Sequence, residues 1–194
     1  MLSKSVSALL IAIALLAPAT GAYAEKATHK GGFFALFAHK TSAKTQKARK
    51  AGAVDAERVE LKAAVAEAIA NKPKGRVWCV PFARMVAGVD IRGNATTWWK
   101  QAAGKYARGQ EPKVGAVMNF ASSRAMPMGH VAVVSAVINE REVLVDQANW
   151  VRNKITQDTR VVDVSVKGDW TKVKVDNGHG TLGRVNPVYG FIYN

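Results

Sequence analysis

Residues 130–150 read HVAVVSAVINEREVLVDQANW. Nine mostly apolar, β-branched-rich residues, HVAVVSAVI, run into a polar turn, Asn139-Glu140-Arg141-Glu142, and a second apolar run returns from Val143 to Trp150. Apolar runs rich in Val and Ile around a short polar turn predict an antiparallel β-hairpin. With residues 139–142 as the turn, Ile138 faces Val143, Asn149 lies opposite Ala132 and Gln147 lies opposite Val134. His130 is two residues from Ala132, so it shares a face with Asn149 and Gln147. A slip of one residue would move the pair to opposite faces, so the register is consistent with a site without proving one.

The pattern before the hairpin is helical. Residues 55–71 carry Leu61, Val65 and Ile69 with Val54 and Arg58 at three- and four-residue spacing, and Lys72-Pro73-Lys74-Gly75 ends the run. Residues 76–88, RVWCVPFARMVAG, follow a glycine turn. Pro81 suits the first turn of a helix, where an amide donor would lack a partner anyway. Cys79 then lies just before that helix or at its start, where free amides and the helix dipole favour a thiolate. Phe82, Met85 and Val86 are expected to face inward. Residues 93–96, GNAT, turn into a second helix with Trp98, Trp99, Ala102 and Tyr106, stopped by 109–112. From 114 the period becomes that of strands, at 114–120, in the hairpin, and at 160–166, 170–175 and 188–193. Helices first and an antiparallel sheet second predict an α+β fold.

The ends and the composition add constraints. Residues 1–24, MLSKSVSALLIAIALLAPATGAYA, have a basic Lys4, a continuous apolar run from Leu9 to Leu16 and the small-x-small pattern Ala22-Tyr23-Ala24. That is the layout of a secretory signal peptide, and the run is short for a membrane span. The expected location is therefore periplasmic or extracellular. Residues 25–52 hold seven Lys or Arg and one acid, and read as a mobile basic arm with an apolar patch at Phe33, Phe34, Leu36 and Phe37. The arm suits an anionic polymer or transient contact with a membrane surface, or it is a solvated leader. Residues 53–194 are long enough for one domain with a real core. Cleavage removes only the charge of Lys4, so the formal net charge falls from +14 to about +13. That surface favours anionic envelope polymers, while the absence of a recognised reader motif argues against specific nucleic-acid binding. The single cysteine forms no internal disulfide, and the four histidines are scattered without HExxH or CxxC spacing, so neither a metal nor another cofactor is expected.

A thiol at a helix start, a histidine opening a strand and a neighbouring amide side chain suit nucleophilic acyl transfer. The imidazole takes the thiol proton, the thiolate attacks a carbonyl carbon, and the imidazole then protonates the departing amine. Asn149 would fix the tautomer and orientation of His130. The residues alone leave open an inert Cys79 buried beside Trp78.

Five stretches, WCVPFARMVAG, GNATTWW, PKVGAVMNF, GHVAVVSAV and VLVDQANW, in this order, resemble the CHAP domain, the cysteine- and histidine-dependent amidohydrolase/peptidase of the NlpC/P60-like, papain-like group. The resemblance is best from 76 to 150 and looser to 193. It implies a papain-like α+β fold, with N-terminal helices packed on a C-terminal antiparallel sheet. It implies Cys79 as nucleophile, His130 as general base and acid, and Asn149 as the orienting residue. Many members carry Glu where this chain has Gln147, an auxiliary residue that can hydrogen-bond but adds no charge. Trp78, Trp98, Trp99 and Trp150 are candidates for a substrate groove. The implied activity is cleavage of peptidoglycan amide bonds, as an N-acetylmuramoyl-L-alanine amidase or as an endopeptidase of stem or cross-bridge peptides. A non-catalytic wall-binding or structural protein that keeps the fold, and an amidase acting on a non-wall substrate, stand as alternatives.

Overall fold

The computed structural model describes residues 34–194, with side chains from residue 43. The expected signal peptide and the start of the basic arm lie outside the described residues. The chain divides into two units after Thr41, and the unit Ser42–Asn194 carries the fold.

Helix α1 (Phe34–Ala70) starts well before the expected residue 55, so residues 34–52 of the expected arm are helical. Ala and Lys dominate that stretch, no proline interrupts it, and these residues lose little freedom in a helix. Its buried positions in the described unit are Leu61, Val65 and Ala68, whereas Val54 and Ile69 stay exposed. The inward stripe is thus shorter than the periodicity suggests. Helix α2 (Cys79–Ala87) begins after an extended Trp78 and ends at Gly88, whose φ of 64° gives a left-handed cap. Phe82, Ala83 and Val86 face the core, while Met85, expected inward, is exposed. A 3₁₀ turn (Ala95–Thr97) leads into the short α3 (Trp98–Gln101).

Seven strands follow: β1 (Ala107–Gly109), β2 (Val117–Phe120), β3 (His130–Asn139), β4 (Glu142–Ala148), β5 (Ile155–Asp163), β6 (Lys172–Asp176) and β7 (Leu182–Tyr193). All pairings are antiparallel, in the order β1-β7-β2-β3-β4-β5-β6, and β6 also pairs with β7. The long β7 makes this possible. Its first half pairs with β6 and its second half with β2 and β1, so the sheet curls into a closed barrel.

The alternation of β3 separates two cores. Ala132 and Val134 join Met118, Phe120, Val145, Trp170 and Phe191 inside the barrel. Val131 and Val133 face outward under α1 and α2, with Val117, Ala148 and Ile192. This is the α+β arrangement expected from the sequence, with N-terminal helices against a C-terminal antiparallel sheet. The hairpin register departs in detail. Pairing begins at Asn139↔Glu142 as expected, but two irregularities leave Val133 opposite Asp146, two residues from the partner expected for it. A slip of two preserves the face of each side chain and carries Gln147 two residues closer to His130, so that the two meet.

Candidate active site

Cys79 is the first residue of α2, with its preceding residue extended. Helix starts leave backbone amides unpaired, and here those of Cys79 and Val80 reach the sulfur, joined by the amide of Val131 at the start of β3. Burial pushes the Cys79 thiol above its ordinary pKa, and the three amides pull it down by less. The net direction favours the neutral form of this half-buried thiol.

His130 opens β3 and is 5% exposed. Its ring lies 5.5 Å from Phe120 and 5.1 Å from Trp150, centroid to centroid. Its Nε2 is 2.9 Å from Gln147 Oε1. An amide oxygen only accepts, so Nε2–H donates and Nδ1 keeps the lone pair. Burial lowers the His130 pKa to about 4, and the Gln147 hydrogen bond opposes this only in part. Gln147 is fully buried, and its Nε2 has no hydrogen-bond partner among the described residues. The entry into β3 is set by Gly129, whose φ is +68°. A Cβ there would lie 2.7 Å from Thr96 N and 2.8 Å from Phe120 O, so the loop passes too close to its neighbours for any side chain.

Asn149 sits just past β4 with φ 64°. Its Oδ1 accepts from the Asn153 amide at 2.9 Å, and its own amide donates to Lys154 O at 2.7 Å. Asn153, also at positive φ, accepts from Val77 N at 2.8 Å through its Oδ1. The turn after β4 thus holds the segment that delivers Cys79. The sequence expectation gave Asn149 the orienting bond to His130, but in the structure that contact is made by Gln147, while the Asn149 oxygen serves the turn. Strand β4 ends at Ala148, and a left-handed residue beyond it no longer follows strand alternation. The paired asparagines of 149–153, NWVRN, were the available signal, because Asn tolerates positive φ.

A cavity of about 670 Å³ opens over these groups, with Trp78, Cys79, His130, Asn149 and Trp150 in its wall. Trp98 is instead fully buried in the outer core, and Trp99 stacks on Tyr189 with centroids 6.2 Å apart. Of the four tryptophans expected at a groove, Trp78 and Trp150 border this cavity. Arg76 and Arg184 line it too, and the sequence reading did not single them out. Among the described residues no group of three or more His, Cys, Asp or Glu is arranged to hold a metal ion.

The arrangement places a histidine and a thiol in the wall of one cavity. A neutral imidazole has one nitrogen fixed by Gln147 and the other carrying a lone pair, and the thiol lies against helix-start amides able to stabilise an oxyanion. The family model of the CHAP domain matches residues 71–149, a stretch that includes Cys79, His130 and Gln147. Comparison with curated proteins gives no match. The domain and its architecture are consistent with a cysteine-dependent hydrolase family.

Proposed function

We propose that the CHAP domain at residues 71–149 makes this chain an exported cysteine hydrolase cleaving amide bonds in peptidoglycan, as an amidase or an endopeptidase. The observation that carries the reading is a cavity bordered by both Cys79 and His130, with Gln147 behind the ring. Nδ1 of His130 removes the Sγ proton as the sulfur attacks the carbonyl carbon. The amides of Cys79 and Val80 receive the developing oxyanion, the imidazolium protonates the leaving amine, and water, activated by the same ring, releases the acyl group. In this reading Cys79 and His130 are catalytic, Gln147 positions the imidazole, and Asn149 shapes the cavity wall. Export is supported by the pattern of residues 1–24, and an anionic wall polymer suits the net charge of about +13 left after cleavage.

One observation favours a second reading, a wall-binding protein that keeps the fold without catalysis. Burial acts against charge on both groups, raising the thiol and lowering the imidazole to about 4. Mass spectrometry of purified peptidoglycan incubated with the mature protein and with Cys79→Ala separates the two. New muropeptide ends that depend on Cys79 identify the bond cut. Identical digests from both proteins, across several wall types, would reject the hydrolase.

A further inference from the structure

The cavity over Cys79 and His130 carries charge of one sign. Arg76 and Arg184 line it, and no Asp or Glu does. The Arg76 guanidinium lies 4.1 Å from the centre of the Trp78 ring, in the segment that leads directly into Cys79. Stacking restrains a side chain that would otherwise lose much rotamer freedom on binding a ligand. Arg184 reaches the same cavity from the first half of β7. Several arginines elsewhere, including Arg58, Arg84, Arg141 and Arg160, have carboxylate partners. Arg76 and Arg184 have none among the described residues. Much of the remaining wall is apolar, with Trp78, Met126, Met128 and Trp150. Such walls concentrate the field of the two cations.

The geometry points to Arg76 and Arg184 as specificity-determining residues that select an acidic peptide, one in which a free carboxylate flanks the amide presented to Cys79. This deepens the reading of the site as amide-cleaving and rests on it. A guanidinium presents a rigid fork of donors that matches a carboxylate with two parallel hydrogen bonds, and a carboxamide offers neither the charge nor two acceptors.

The test uses the mature chain carrying Cys79→Ala, titrated calorimetrically with a disaccharide-peptide muropeptide whose peptide carboxylates are free, and with the same muropeptide fully amidated. The acid form binds roughly tenfold tighter, the size expected for a charge-assisted hydrogen bond, and added salt narrows the gap. Arg76→Gln and Arg184→Gln, each in that background, weaken binding of the acid form more than that of the amidated form and so remove most of the preference. Arg76→Lys restores part of it. Both arginines are exposed, and unchanged melting temperatures show that the variants fold. Equal binding of the two forms, or a preference that survives in the double glutamine variant, overturns the assignment. Hydrolysis by the Cys79 protein is read separately. Cleavage of both forms at equal kcat/KM overturns carboxylate selection and keeps the hydrolase. A binding preference without cleavage keeps the carboxylate site and rejects the hydrolase. Failure to bind either form rejects both.

Discussion

At the scale of single residues, His130 ties stability to pH. Its pKa is about 4 in the folded chain, against an ordinary 6.5. As pH falls through that window the unfolded chain takes up a proton that the folded chain refuses. Stability therefore drops between about pH 6.5 and 4 and levels off below, by something on the order of 3 kcal/mol across the full window. Urea denaturation at pH 7 and pH 4.5 measures it, and His130→Gln loses this component while keeping whatever the carboxylates contribute. The same ring tests the part played by its partner. Gln147→Glu puts a carboxylate against Nε2 and raises the His130 pKa from about 4 toward or beyond its ordinary value, read by NMR titration of the imidazole Cε1 proton. An unmoved midpoint would mean that Gln147 does not govern the ring. Cys79 and His130 stood out in the sequence because a lone thiol before a proline-marked helix and a histidine at a strand start are local patterns. The pairing of His130 with Gln147 was less visible, since it depends on irregularities that no local pattern announces.

At the scale of elements, α1 is held to the sheet by Lys62. Its Nζ lies 2.8 and 2.9 Å from the two oxygens of Asp146, a fully buried carboxylate next in sequence to Gln147. Lys62→Met strands that charge and destabilises the domain by roughly 3 kcal/mol, since a buried charge without its partner is costly. Adding Asp146→Asn recovers most of the loss, because a neutral amide oxygen still accepts from the Asp158 amide. Chemical denaturation of the single and double variants checks both statements. Gly129→Ala acts on the entry into β3. Its Cβ would press on the Thr96 amide and the Phe120 carbonyl, so the loop must move and His130 with it. We expect a loss of about 2 kcal/mol or more from strain at a left-handed position, with a shifted His130 NMR signal. The helix at Cys79 and the hairpin were legible because Pro81 and the polar turn punctuate them. The hairpin register was not, because β3 is apolar on both faces, buried against the helices on one and the barrel interior on the other. Such a strand has no polar face to fix its alignment. The first half of β7 was missed for a different reason. Glycine and proline ordinarily weaken or end a strand, yet Gly183 lies within β7 and Pro187 sits in register with Lys172 at one end of the β6 pairing.

At the scale of the whole molecule, the proposed function makes charge the source of attachment to the wall. The chain has 28 Lys and Arg against 14 Asp and Glu. Retention on purified peptidoglycan should fall steeply when NaCl is raised from about 0.05 to about 0.5 M, because the screening length shrinks severalfold to a few ångströms. A cosedimentation series shows it, and salt-independent retention would place the attachment in apolar contacts instead. The α+β order could be read from the sequence, since it needs only the change of period near residue 114. Closure of the sheet could not, because it depends on one strand changing partners halfway along. That closure bears on solubility. Among the described residues β1 is the one strand with a single neighbour, and it is three residues long with Arg108 at its centre. The sheet thus offers little backbone for another copy to zip onto, and its resistance to edge-to-edge aggregation is built into the way β7 joins the sheet's two ends.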